Sequence, residues 1–158
     1  MKKKIIICLL VVLFTLTGCK LSFGRTYENL LKDYTNAYSK GDLKTIQKIF
    51  PPYYVEFSKD IVTQEYLDKQ VNTLKSTFGD DFKITYEITG KTKLTNDELK
   101  TLNEKMAKYY NAKDNATECY KYEGDLIIKG SKNESKSSLS SIGYCKYKNT
   151  WYIVAISI

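Results

Sequence analysis

The apolar residues of this chain change their spacing partway along, and that change fixes its fold class. Up to Gly79 they recur at helical intervals; from Phe82 they alternate with polar residues, apart from one helical return at Leu99–Tyr110. Thr26 is placed to cap a first helix, with Glu28 in its first turn and Tyr27, Leu30, Leu31, Tyr34, Ala37 and Tyr38 along one stripe. Gly41 stands where a helix-ending glycine belongs, and Asp42 is placed to start a second helix whose inner side is Leu43, Ile46, Ile49 and Phe50. Pro51-Pro52 stops that helix, because proline lacks an N–H and disfavours helical geometry in the residue before it. Tyr53–Phe57 reads as a short aromatic link. Thr63 caps a third helix, carrying Leu67, Val71, Leu74 and Phe78 and ending at Gly79.

Phe82, Ile84, Tyr86 and Ile88 alternate with Lys83, Thr85 and Glu87, the pattern of a half-buried strand. Thr95-Asn96-Asp97-Glu98 is a capping box, and Leu99, Leu102, Met106, Tyr109 and Tyr110 form the stripe of the helix behind it. Asn111–Ala116 is a polar loop. Strands follow at Glu118–Lys129, with Tyr120, Tyr122, Leu126 and Ile128 on one face, and at Leu139–Tyr147 after a polar turn region at Gly130–Ser137. A tight turn at Lys148-Asn149 leads into a last strand, Trp151–Ile158, that is apolar on both faces and so is expected inside the sheet, with Trp151 mostly buried.

The length, 158 residues, suits one core, and the chain has no His. The absence of imidazole excludes Ser-His-Asp and Cys-His nucleophiles and His-ligated zinc. The formal charge is +7; setting aside Lys2, Lys3 and Lys4 leaves 22 basic and 18 acidic residues, a mild excess of +4. The remaining lysines, such as Lys129, Lys132 and Lys136 or Lys146 and Lys148, have no regular spacing, which suits a solvated surface near anionic lipid rather than nucleic acid.

The N-terminus reads as a targeting segment. Three lysines precede Ile5–Leu16, 12 residues that are all apolar except Thr15. A bilayer core of ~30 Å requires ~20 apolar residues, so this run has the length of a signal-peptide core rather than of a spanning helix. Leu16-Thr17-Gly18-Cys19 follows, and here the chain resembles the bacterial lipoprotein precursors, whose lipobox these four residues match position by position. The resemblance implies a diacylglyceryl thioether on Cys19, cleavage between Gly18 and Cys19, and a mature chain anchored by its acyl chains (diacylglycerol, palmitate) to the outer face of the cytoplasmic membrane. Cys8 belongs to the discarded part. The domains expected are a signal peptide at 1–18, a lipidated tether at 19–25 and a single α+β domain at 26–158.

The order of elements in 26–158 is similar to the cone-shaped fold of nuclear transport factor two and ketosteroid isomerase. Ala37-Tyr38-Ser39-Lys40-Gly41-Asp42-Leu43 resembles the helix-break-helix start of that superfamily, and Lys148-Asn149-Thr150-Trp151-Tyr152-Ile153 its closing hairpin. The resemblance implies N-terminal helices packed on a curved antiparallel sheet; a cystatin-like helix on sheet is the alternative.

Residue 132, inside the polar turn region, is the midpoint of Cys119 and Cys145, so antiparallel pairing of the flanking strands sets the two cysteines opposite each other. Facing Cβ atoms in such a pair are ~4.5–5.5 Å apart, close to what a disulfide needs. A structural disulfide is expected, with two packed free thiols as the alternative. Tyrosine is abundant, at 14 residues. Tyr27, Tyr34, Tyr38, Tyr109, Tyr110, Tyr120, Tyr122, Tyr144 and Tyr152 are expected as packing in a half-wet core, the alternative being a Tyr-lined pocket for a sugar, lipid headgroup or peptide. Glu56, Asp60, Glu87, Glu123 and Asp125 are the carboxylates nearest any pocket, but Glu87, Glu123 and Asp125 lie on the polar side of their strands. No catalytic, cofactor-binding or metal site is therefore assigned. The expected role is a non-catalytic binding or assembly module for a protein or envelope-polymer partner. The alternatives are a small isomerase- or dehydratase-like enzyme using a pocket carboxylate, or a structural accessory of an envelope complex.

Overall fold

The computed structural model describes residues 27–156, with side chains from residue 29 onward. The lysine-rich start, the lipobox with Cys19, the tether, the Thr26 cap, the Tyr27 side chain and residues 157–158 lie outside the described residues. Helices α1 (Tyr27–Lys40) and α2 (Leu43–Ile49) form the expected hairpin. Gly41 turns the chain at φ 65°, a conformation that costs a residue without Cβ little. Asp42 then accepts from the Thr45 amide at 3.0 Å and caps α2. Gln64, at the start of α4 (Gln64–Phe78), donates to the Gly41 carbonyl at 2.8 Å and so ties the third side of the helical layer to the hairpin turn.

Between α2 and α4 the aromatic link is itself a helix, α3 (Pro52–Ser58), and not an irregular connection. The second proline sits in its first turn, where the missing N–H would have had no intrahelical partner and the fixed φ suits the helix. One proline ends α2 and the next begins α3.

The sheet is antiparallel and five-stranded: β1 (Lys83–Lys93), β2 (Glu118–Lys129), β3 (Glu134–Ser138), β4 (Ile142–Tyr147) and β5 (Thr150–Ala155). The helix α5 (Asn96–Tyr110) enters between β1 and β2 through the capping box, with Thr95 N–H donating to Glu98 at 2.8 Å and Glu98 N–H to Thr95 at 3.3 Å. The chain is therefore α+β, helices on an open antiparallel sheet. β1 runs five residues past the expected end at Ile88, because a bulge between Ile88 and Gly90 resets its pairing with β2. The polar turn is Gly130–Asn133 alone; residues 134–137, expected in the turn, belong with Ser138 to strand β3 on the distal half of β2. Leu139–Ser141 interrupts what the sequence suggests is one strand, and β4 resumes on the proximal half of β2.

β2 is the strand on which all of this is registered. Its partners are 125↔138 beside β3 but 121↔143 beside β4, so β3–β4 carries one residue more than β2 across this step. β1 likewise gains one residue, between 88↔124 and 90↔123. The β1 bulge falls at Gly124 and the β3–β4 step across residues 122–124; Gly124 has φ 132°, and a Cβ there would run into the Glu87 carbonyl. Two bulges this close together bend the sheet and increase its local twist.

Two cores flank the sheet. On one face α1 and α2 place Leu30, Leu31 and Ile49 on Tyr122, Tyr144 and Ile153, and α4 extends this layer with Val71 and Phe78 on Ile84. On the other face α5 places Leu102 on Cys119, Cys145, Val154 and Ile156. The final strand divides as expected, Trp151 and Ile153 to the first core and Tyr152, Val154 and Ile156 to the second. Its position is not the expected one: the strand order β1-β2-β4-β5 puts β5 at the edge. It is apolar on both sides because a helical layer covers each side, and its outer edge is covered separately. Phe50 packs in the first core and Tyr53 in the second, so the α2–α3 link passes around that edge, leaving a cavity of about 40 Å³ against Ile153–Ala155. Trp151 is half-buried rather than enclosed, with its ring centroid 5.3 Å from that of Tyr144 and the Lys146 ammonium 5.8 Å from its own. It occupies the end of the core, beside the β4–β5 turn.

Cys119 and Cys145 form a disulfide between facing residues of β2 and β4, with Cα atoms 4.1 Å apart and exposures of 1% and 0%. Replacing both by Ala removes a cross-link over a separation of 26 residues. Urea unfolding should show a loss of about 2–4 kcal/mol. An unchanged midpoint would mean that packing of α5 alone holds this part of the sheet.

Candidate functional site

The tyrosines do not all serve as packing. Tyr122 and Tyr144 are fully buried; Tyr34, Tyr38, Tyr110, Tyr120 and Tyr152 are half-buried; Tyr109, expected on the inner stripe of α5, is 60% exposed. Tyr109 lies in the last turn of α5, where it joins Phe57, itself 54% exposed, on the wall of a groove of about 710 Å³. Three segments distant in sequence build this groove: α3, the end of α5 with the loop after it, and the β4–β5 turn.

Each wall is fixed by a local interaction. Tyr53 of α3 and Tyr147 of β4 share a hydrogen bond between hydroxyls at 2.9 Å, their ring centroids 5.7 Å apart. Phe57 meets Tyr110 edge-on, with centroids 4.9 Å apart at 81°, which joins α3 to α5. Tyr152 extends the aromatic floor from Tyr147 at 6.1 Å. The end of α5 is set by Asn111, whose left-handed conformation (φ 53°) turns the chain away while its N–H bonds the Met106 carbonyl. The loop that follows is fastened by Asn103, whose side chain donates to the Ala116 carbonyl at 3.0 Å and accepts from the Ala116 N–H at 2.8 Å. A side-chain amide thus pairs with backbone as a neighbouring strand would. Lys148 in the hairpin turn reaches Asp114 of the loop at 3.0 Å; both are well exposed, so the pair sets position more than it adds stability.

The floor is electrically neutral. Burial, followed by the neighbouring phenol, pushes the Tyr53 hydroxyl above its ordinary range, and burial raises Tyr147. Charge is confined to the rim: Glu56, Asp114, Lys108, Lys113 and Lys148, with the Lys108 ammonium 5.1 Å from the Tyr109 ring centroid. A second, smaller space of about 180 Å³ lies among α1, α2, α3 and α4 and is lined by Tyr34, Tyr38, Tyr54 and Tyr66. Burial pushes Tyr34 up to about 12, with repulsion from the other phenols adding to it.

Of the candidate carboxylates, Glu56 alone lines the groove, and it is paired with Lys59 at 2.6 Å. Asp60 is exposed at the end of α3. Glu87 and Asp125 are brought together, but as register neighbours sharing Lys136 at 3.5 and 3.0 Å on the polar face of the sheet; Glu123 accepts from Thr92 on the same side. The carboxylates whose pKa departs from the ordinary range go down. The Thr45 hydroxyl does this for Asp42, the Ser131 amide for Asp81, the Thr95 amide for Glu98 and the Tyr120 hydroxyl for Glu118. No group of three His, Cys, Asp or Glu among the described residues could hold a metal ion.

Two predictions follow the geometry. Asn103→Ala leaves the N–H and C=O of Ala116, a residue 3% exposed, without their partner. A loss of about 1–3 kcal/mol is expected, with faster hydrogen exchange at the Ala116 amide. Unchanged protection there would mean that the loop is held by other contacts. The tyrosines give a pH dependence. Tyr34 keeps its proton to about 12 in the fold against 10.0 in the free side chain. The folded chain therefore binds more protons in that interval, so stability is complete below the lower value and falls as pH rises toward the upper. Absorbance titration should show phenolate appearing together with alkaline unfolding; a full titration at the ordinary pKa with the fold intact would contradict this.

No family model, curated protein or solved structure matches this chain, so the groove is interpreted from its own geometry.

Proposed function

We propose that this chain is a bacterial lipoprotein anchored through Cys19 to the outer face of the cytoplasmic membrane. Its domain is a non-catalytic binding module on a cone of the nuclear-transport-factor-two kind. The lysine-rich start, the short apolar run and Leu16-Thr17-Gly18-Cys19 support the anchor. The order of helices, strand, inserted helix and closing strands supports the cone. Six residues separate Cys19 from Thr26, a reach of ~20 Å when extended, which keeps the domain at the membrane surface.

The single observation that carries the binding role is the groove at Phe57 and Tyr109. The sheet face under α1 and α2 is filled by Tyr122, Tyr144 and Leu139, which leaves little room for a substrate inside the cone. The aromatic surface is presented outside it instead, in a concavity of the size that ligand sites occupy. Of the carboxylates that an isomerase or dehydratase would use, Glu56, Glu87 and Asp125 stand in surface ion pairs, Asp60 is exposed and Glu123 accepts from Thr92, which favours holding over turning over.

Two measurements test this proposal. Labelling with a fatty-acid probe should mark the wild-type chain and not Cys19→Ser; equal labelling would remove the anchor from the reading. A photoreactive residue at position 109 in intact cells should give a discrete adduct, and one at the exposed position Lys44 on α2 should not. Equal or absent adducts at both positions would remove the groove.

A further inference from the structure

Resting on the reading of the groove as a ligand site, we propose that its ligand is carbohydrate: a stretch of pyranose chain laid across Phe57 and Tyr109. The composition of the lining carries this. Its 15 residues include five tyrosines, one phenylalanine and two prolines, and among them there is no Leu, Ile, Val or Met. A helical peptide partner lays apolar anchors into a hydrophobic groove, and this one has no Leu, Ile, Val or Met to receive them; a proline-rich segment, which docks on aromatic grooves, is the competing ligand in the test below. A pyranose has the opposite needs. One face of the ring is a patch of C–H groups that sits on an aromatic face, while its rim is a ring of hydroxyls that must keep hydrogen bonds when water leaves.

The groove supplies both. Aromatic rings form the floor and one wall, and the rim offers acceptors at Glu56 and Asp114, donors at Lys108 and Lys113, and both at Asn111. Charge argues against a polyanion. Glu56 is engaged with Lys59 at 2.6 Å and Asp114 with Lys148 at 3.0 Å, which leaves Lys108 and Lys113 as two separate cations on the rim, too few for a continuous basic track along the groove. Four of the rings are also held before any ligand arrives, through the hydroxyl pair of Tyr53 and Tyr147 and the edge-on contact of Phe57 with Tyr110, while Tyr109 has the Lys108 ammonium 5.1 Å from its ring centroid. At those four rings little side-chain freedom remains to be lost on binding, which suits a ligand whose individual contacts are weak. The tyrosine-lined space among α1–α4 has the phenols but only about 180 Å³, against about 710 Å³ here, too little for successive sugars.

The test is calorimetric titration of the full-length chain in detergent micelles with a β-linked N-acetylglucosamine hexamer, a β-linked glucose hexamer and a ten-residue proline peptide. At least one hexasaccharide should bind saturably, and Tyr109→Ala and Phe57→Ala should each weaken it on the order of tenfold. Tyr109 is 60% exposed, so Tyr109→Ala should keep the wild-type melting temperature, whereas Phe57→Ala also loses the edge-on contact with Tyr110 and should melt slightly lower. Rescue by Tyr109→Phe, which keeps the ring and removes the hydroxyl, separates stacking from hydrogen bonding. The proposal is overturned if neither hexasaccharide binds, if binding is insensitive to both alanine variants, or if the proline peptide binds with the same sensitivity instead. An adduct at position 109 in cells without hexasaccharide binding overturns the carbohydrate and leaves the groove as a binding site; loss of both overturns the two together.

Discussion

β2 pairs with β1 from Tyr120 to Lys129 on one side and with two successive strands on the other, and its close approach to β1 at the bulge requires glycine at 124. At or just beyond that level each neighbour carries an extra residue, and the Glu87 carbonyl occupies the place a side chain at 124 would need. The bend separates a distal half, where β1 and β2 sit under α4 and β3 lies exposed beside them, from a proximal half, where β4 and β5 are added and helices cover both faces. A straight β2 would give one flat ladder with its apolar face too long for any single helix here. With the bend, α4 and the α1–α2 hairpin each have a surface of their own length, and α5 has the opposite face of the proximal half.

That division explains where the aromatic residues go. Those facing the proximal half from inside, Tyr122 and Tyr144, are enclosed by helices on one side. Those at the margin, where α3, the end of α5 and the β4–β5 turn meet, have helix on one side and water on the other. Tyrosine suits that margin because its ring packs while its hydroxyl stays hydrated or finds another hydroxyl, as Tyr53 and Tyr147 do at 2.9 Å. The groove is thus a by-product of covering a sheet corner with aromatic side chains, and the Asn103 clamp on Ala116 keeps its loop wall in place.

Much of the framework was readable from local signals. The capping box at Thr95, the glycine stops at Gly41 and Gly79 and the caps at Asp42 and Thr63 each depend on a few adjacent residues, and each stands where the pattern puts it. The pairing of Cys119 with Cys145 was legible from their midpoint, although the hairpin turn itself is centred half a residue earlier; the additional residue in Leu139–Ser141 makes up the difference. What escaped were features set by tertiary context. A double proline marks a helix end, but Pro52 begins α3 as well. Two-sided apolarity suggests an inner strand, yet β5 is apolar on both sides because helices cover both. Tyr109 follows the stripe of α5 but lies past the sheet that the stripe covers. The groove left no local trace, because its three walls are 51 and 33 residues apart along the chain, from Phe57 to Lys108 and from Asp114 to Tyr147. An amide at 103 gives no hint that it will stand in for a strand.

The position of α3 has a consequence for how chains behave toward one another. At the far edge of the sheet, β1 carries Lys83, Lys91 and Lys93 and a bulge, devices that discourage a foreign strand from adding on. β5, Thr-Trp-Tyr-Ile-Val-Ala, has no charge, proline or bulge of its own. Among the described residues its guard is the α2–α3 link, held by Phe50 on one side and Tyr53 on the other. Should that link lift, the exposed edge is a short, uncharged, β-branched and aromatic template of the sort that nucleates intermolecular sheet. The two prolines then have a second use. Neither can donate a backbone hydrogen bond, so the segment that lies against β5 cannot itself be drawn into the ladder and released as a strand for another molecule.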